Sequence, residues 1–243
     1  MIAIFRKEFA SFLNGLIAYI VIAVFLTTLG LIMWVFPESS ILDYGYAEFN
    51  TLFSLGPFVF MFLIPAITMR FFSEEKRTGT IELIFTRPIR EIDVILGKFF
   101  AGVALVILSL IPTLLYVYSV YQLGNPVGNL DISGVIGSYL GLLLVGFSFV
   151  GIGVFTSAVT ENQVVAFVLA VFLSFFLFSG LSSLAAIDVW GATSLILEKS
   201  SMVYHYDSLS RGLIDLQDVF YFLTVAAIFI LLTRLTLESR KWK

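Results

Sequence analysis

The chain has no cysteine, one histidine and little charge. Without cysteine there is no disulfide, no thiolate nucleophile and no thiolate-ligated metal site. A single imidazole, His205, cannot assemble a zinc site without a nearby cluster of carboxylates, so a structural or surface role is the plainer reading. Only 13% of the 243 residues are charged while 59% are hydrophobic, and the mean hydropathy is +1.02. A soluble domain is about one quarter charged, so a water-soluble fold is excluded. The net charge of −3 is the difference between 14 basic and 17 acidic residues. No basic tract is long enough to follow a phosphate backbone, and nucleic acid is not an expected partner.

A phosphate-binding loop is also absent. Gly97-Lys98 is followed by Phe99 and lacks the earlier glycine of GxxxxGK[ST], so no cradle of backbone amides for ATP is available. The chain is therefore not expected to be an enzyme or to hold a cofactor of its own. Intramembrane proteases and transferases need a nucleophile with a base, or paired acids, at membrane depth. No such arrangement occurs. Serines such as Ser109, Ser148 and Ser174 are read as formers of hydrogen bonds between helices.

What the chain has is long apolar runs. A helix needs about 20 apolar residues to cross a bilayer, because unpaired backbone groups cannot be left in hydrocarbon. Six stretches meet that need: Leu16–Phe36, Thr51–Met69, Phe99–Tyr121, Ile132–Val159, Gln163–Ile187 and Val219–Leu237. Five carry no charge, which weakens an ion-coupled transporter reading; the last has only Arg234, near its end. The first run lacks a small-x-small cleavage pattern and is expected to remain attached as a membrane helix. The expected fold is all-α, one polytopic membrane domain spanning 1–243.

Lysine and arginine accumulate on the cytoplasmic side of short connections. With six spans, the N-terminus, the Arg70–Lys98 loop and the C-terminus share one side and hold 12 of the 14 basic residues. Both termini are thus expected in the cytoplasm.

Three segments do not span. Met1–Gly15 sets Ile2, Phe5, Phe9, Phe12 and Leu13 on one stripe opposite Arg6, Lys7, Glu8 and Ser11. This is either an interfacial helix or a cytoplasmic extension of the first span. Arg70–Lys98 places Ile81, Ile84 and Phe85 on one helical face, and Pro88 opens a second short helix with Ile89, Ile92 and Leu96 on its buried side. Docking to another protein and an interfacial hairpin are both open. Asp188–Asp218, with Trp190 and Tyr204, is too long for a loop without structure of its own, and forms either a re-entrant segment or a cap. The fourth span carries six glycines, Gly137 and Gly141 forming a GxxxG, so a second helix is expected to approach it closely. Pro65 and Pro112 are candidate kinks.

The string EEKRTGTIELIFTRPI at Glu74–Ile89, followed by ILGK at Ile95–Lys98, resembles the coupling region of ABC-2 type ABC transporter permeases. Further stretches are similar to the gliding-motility permeases of Bacteroidota within that family. They are FRKEFASF at Phe5–Phe12, AYIVIAVF at Ala18–Phe25, LIPAITMR at Leu63–Arg70, YSVYQLGNPVGNLD at Tyr118–Asp131, SRGLID at Ser210–Asp215 and SRKW at Ser239–Trp242. The resemblance implies an inner-membrane hetero-oligomer. In it, a separate cytoplasmic ATPase subunit binds ATP and Mg, and a second permease or companion membrane subunit completes the path through the membrane lipid. ATP hydrolysis would drive export or membrane remodelling needed for gliding. Carried over by residue, Glu74 and Glu75 would face basic groups of the ATPase, Gly79 would permit a tight turn, and Thr80, Glu82 and Pro88 would shape the coupling helix. Two other readings stand beside it: an ATP-driven mechanical transmitter that passes nothing across, and a passive scaffold or intramembrane enzyme.

Overall fold

A computed structural model of the protein describes residues 1–37, 39–44, 49–85, 89–187 and 193–239; among these every regular element is helical. Pro88, Trp190 and the side chains of Ile84 and Phe85 lie outside the described residues. In chain order the helices are α1 (Ile2–Leu13), α2 (Leu16–Trp34), the single turn α3 (Ile41–Tyr44), α4 (Asn50–Thr68), α5 (Ser73–Arg77), α6 (Thr80–Phe85) and α7 (Glu91–Leu110). They continue with α8 (Leu114–Leu123), α9 (Ile132–Val159), α10 (Gln163–Phe175), α11 (Leu181–Ala185), α12 (Ser194–Lys199), α13 (Met202–Ser210) and α14 (Leu216–Glu238).

Among the described residues five helical stretches are long and apolar enough to cross a membrane: Asn50–Arg77, Glu91–Leu123, Ile132–Val159, Gln163–Ala185 and Leu216–Glu238. A sixth arises only if α1 and α2 count as one span, and these are bent by 66° from one another. The bend falls at Gly15, whose extended backbone caps α2. The six spans expected from sequence therefore meet five that stand alone. The second short helix expected after Pro88 does not exist separately. Helix α7 starts at Glu91 and runs on without a break, so Ile92 and Leu96 lie in its first turns, where Val94 and Ile95 take the buried positions.

The two prolines act differently. Pro65 sits inside an uninterrupted α4. Pro112 falls in a 3-10 turn, Ile111–Thr113, that joins α7 to α8, where the missing N–H removes one α-helical bond. A π turn at Phe176–Gly180 similarly joins α10 to α11.

Helix α9 is the hub. Of its most apolar stretch 78% is buried inside the protein, against 22% for Gln163–Ala185 and 17% for α14. The cause is its glycines. A Cβ on Gly137 would overlap the carbonyl oxygen of Leu209 in α13, and one on Gly141 would press the Tyr206 ring. Gly146 meets Val106 of α7, Gly151 meets the backbone of Ala226 in α14, and Gly153 meets Thr68 of α4. Lipid is as apolar as leucine, so helix association rests on close packing and hydrogen bonds rather than on a hydrophobic gradient. The expected close approach at the GxxxG is present, and the partner is α13.

Hydrogen bonds reinforce the hub. Ser148 Oγ donates to the carbonyl of Phe222 in α14 at 3.1 Å, and Ser138 Oγ to that of Ser210 at 3.3 Å. Of the three serines expected to bridge helices, only Ser148 does. Ser109 donates within its own helix to Val106, and Ser174 Oγ has no partner among the described residues. Tyr206 donates its hydroxyl to the carbonyl of Phe53 at 2.6 Å; burial pushes the phenol well above the ordinary tyrosine range, so it stays a donor. The segment after α11 has structure of its own, α12 and α13, as its length required.

Because backbone rather than a flexible side chain blocks the added methyl, Gly137→Ala is expected to destabilise the protein by about 1–3 kcal/mol, the usual cost of overpacking. Thermal unfolding in detergent measures it. An unchanged melting temperature would mean that α13 does not pack on α9 at this point.

Candidate functional site

The elbow α5–α6 follows α4 directly. Helix α5 is ended by the Thr78 N–H on the carbonyl of Glu74 and the Gly79 N–H on that of Lys76. Gly79 takes φ +71, the left-handed region that glycine alone occupies freely. A Cβ there would meet nothing within 4 Å, so the need for glycine is conformational rather than steric. Thr80 begins α6, its hydroxyl 2.9 Å from that of Thr78. Ile81 is buried beneath the turn while Thr80 and Glu82 are exposed. Glu74 is partly exposed and pairs with Arg70 at 3.2 Å.

Glu75 points the other way. Its Oε1 lies 2.8 Å from Nζ of Lys98, a residue of α7 that is 1% exposed. The same ammonium donates to Glu8 Oε1 of α1 at 3.1 Å and to the carbonyl of Phe71 at 2.7 Å. Three donors thus meet three acceptors, the full capacity of a lysine. The Phe72 ring centroid is 5.0 Å from Nζ and adds a cation–π contact. Lys7, largely exposed, approaches the same two carboxylates from outside, at 3.5 Å from Glu8 and 3.8 Å from Glu75. Two ammonium groups therefore balance two carboxylates. One ion cluster ties α1, α5 and α7 together.

The elbow has a second anchor. Lys76 donates to the carbonyl of Ala158 in the last turn of α9. Carbonyls at a helix C-terminus lack intrahelical partners and sit at the negative end of the helix dipole, so a cation is suited to this position. Glu75 and Lys76, adjacent in sequence, thus hold α5 to α7 and to the hub.

Of the residues singled out in the sequence, Glu74, Gly79, Thr80 and Glu82 lie on or near the outward side of the elbow, and Pro88 is outside the described residues. Glu75, expected to face a partner, is engaged inward with Lys98. Glu8, assigned to the polar face of α1, is likewise turned inward, and the packed side of α1 is Ile4, Glu8, Phe9 and Phe12. Ile4 meets α7 where a Cβ on Gly97 would overlap it. Lys98, Glu8 and Lys76 were missed. The signal for Lys98 was present: Val94, Ile95, Lys98, Gly102 and Leu105 share one helical stripe, and the lysine occupies a core position of it.

The arrangement is that of a polytopic helical membrane protein whose elbow is bolted to its hub and to its first helix. A family model described as ABC-2 family transporter protein matches residues 2–237, and the chain belongs to that family. Proteins of this family are membrane subunits of ABC transporters that have no ATPase of their own and work with a partner ATPase subunit. Among curated proteins none matches the chain.

Replacing Lys98 by Met leaves Glu8 and Glu75, both largely covered, with only the exposed Lys7 beside them, and is expected to cost about 3 kcal/mol, the low end for a broken buried pair. Adding Glu8→Gln and Glu75→Gln to the same chain should recover most of that loss, because neutral groups remove the uncompensated charge. Thermal unfolding of the single and triple variants decides it. Equal stability of Lys98→Met and the parent would refute the ion cluster as a structural bolt.

Proposed function

We propose that this chain is the permease subunit of an ABC transporter of the bacterial inner membrane, with α2 as the first of six spans and both termini in the cytoplasm. A separate subunit binds ATP and Mg and docks on the elbow α5–α6 through Glu74, Thr80 and Glu82. Gly79 holds the turn that presents them, and Pro88 is given the same role by the likeness of the string that contains it to a coupling region. The observation that carries this reading is the double anchoring of the elbow. A part built only to lie beneath the bundle needs no buried ion cluster to α1 and α7 and no tie to the end of α9.

Energy enters where the cation of Lys98 and the cation of Lys76 fix α5 in place. Displacing the elbow then displaces α1, α7 and α9, because separating Lys98 from its carboxylates would leave charge buried and unpaired. A second membrane subunit, identical or related, completes the assembly: α10 and α14 keep most of their surface outside the protein's own core. The cellular process is gliding, on the strength of the likeness of stretches such as Phe5–Phe12 and Tyr118–Asp131 to gliding-motility permeases. The work done is export or membrane remodelling.

Purification from the native membrane in mild detergent should recover an ATPase with a phosphate-binding loop. Glu82→Lys should weaken that association about tenfold, equivalent to about 1.4 kcal/mol. Because Glu82 is exposed, the melting temperature of the isolated chain should stay the same. Failure to recover any ATPase, or association and turnover untouched by Glu82→Lys, would overturn the proposal.

A further inference from the structure

The opposite end of α9 from the elbow carries a second constellation. A cleft of about 930 Å³ opens along α12, α13 and α14. One of its walls is a buried pair: His205 Nδ1 lies 2.7 Å from Asp218 Oδ1, and His205 Nε2 lies 2.9 Å from the carbonyl oxygen of Lys199. Both partners offer acceptor oxygens to the ring nitrogens. Tyr221 stacks on the imidazole with centroids 3.9 Å apart and donates its hydroxyl to the carbonyl of Ser200 at 2.6 Å.

These contacts leave one atom over. Asp218 is 5% exposed, and its second oxygen, Oδ2, is buried with no hydrogen-bond partner among the described residues. Such an atom favours a ligand that brings a donor to it. Both signs of charge line the rest of the polar wall: Lys199 and Arg211 on one hand, Glu198, Asp207 and Asp215 on the other. Burial holds the Asp207 carboxyl above the ordinary carboxylate range, offset in part by Arg211.

Along α14 the lining changes character. Asp218, Tyr221, Thr224, Val225 and Ile228 form one stripe of the helix and all line the cleft. From Asp218 to Ile228 the helix rises about 15 Å, and the stripe passes from carboxylate through hydroxyls to aliphatic groups inside the span Leu216–Glu238. The occupant that matches has a head with both charges and an apolar tail running down the helix.

We propose that this cleft binds a phospholipid whose head group carries a primary amine. With the Asp218 carboxylate turned toward the cleft, the ammonium donates to its Oδ2, the phosphate lies against Lys199 and Arg211, and an acyl chain follows Val225 and Ile228. The proposal rests on α14 being a membrane span and not on the docking of an ATPase, so it stands or falls separately from the permease assignment.

Native mass spectrometry of the full chain, released from nanodiscs containing equal parts phosphatidylethanolamine, phosphatidylcholine and phosphatidylglycerol, reads the bound lipid. Phosphatidylethanolamine adducts should exceed phosphatidylcholine adducts by about tenfold, the discrimination given by one charged hydrogen bond that a quaternary ammonium cannot make. Asp218→Asn should abolish the preference. Because that change also disturbs the buried pair, Thr224→Trp provides a second variant: it fills the cleft from an exposed position of α14 and should remove the adduct without shifting the melting temperature. Equal retention of the three lipids, a preference that survives Thr224→Trp, or displacement of the lipid by an equal concentration of soluble phosphoethanolamine would overturn the lipid assignment.

Discussion

Close approach of backbones along α9 is the constraint on which the rest of the molecule is hung. In lipid no water is expelled when two helices meet, so side-chain area contributes little and contact distance counts for more. Gly137, Gly141, Gly146, Gly151 and Gly153 point to different neighbours, and each neighbour fills the space where a side chain would stand. That is why α4, α7, α13 and α14 can all share one helix. It also explains why α9 is the most buried of the long helices, while α10 and α14 present leucine, valine and phenylalanine outward.

The ion cluster at Lys98 follows a different physics. Burying an ammonium in an apolar helix face is costly, and the cost is offset only when every donor is met and the charge is balanced nearby. Here both conditions hold, with Glu8 and Glu75 supplied by two other helices and Phe71 supplying a carbonyl. The price of such a cluster in stability terms yields something that greasy contacts do not, a fixed register between α1, α5 and α7. Apolar surfaces slide past one another at small cost; a lysine with three satisfied donors does not.

Much of this was legible in the sequence. The apolar runs that define α4, α9 and α14 were bounded to within a few residues, because hydropathy and the length of a bilayer act on each run alone. The glycine face of α9 was likewise visible, though not its partner α13, since nothing in a run of small residues names what fills the gap. The site was read less well. Glu75 was placed outward by the resemblance of Glu74–Ile89 to a coupling region, and Glu8 by the amphipathic stripe of α1; both turn inward because of a lysine many residues away. Pairing across such separations leaves no mark in local periodicity. Only the position of Lys98 within a buried stripe hinted that carboxylates must come to meet it. His205 was set aside for lack of companions, and its partner Asp218 was read only as the end of the connection Asp188–Asp218.

The two constellations lie at the two ends of one rigid element. The 28 residues of α9 rise about 42 Å, with Lys76 of the elbow bound at the C-terminal turn and α13 seated on Gly137 and Gly141 near the other. On the proposed reading, a push on the elbow would be resisted at Lys98 and passed to α9 through Lys76, so α9 would either tilt as a body or slide along its neighbours. The glycine contacts disfavour sliding, since Val106, Thr68 and Tyr206 seat in the gaps and Ser138 and Ser148 hydrogen-bond across them, so a tilt costs fewer contacts. The neighbour carried with α9 at the far end is α13, which holds His205 against Asp218 of α14. A tilt passed to α13 would open or close the cleft between α13 and α14, and the small residues of α9 are the seam that would transmit it.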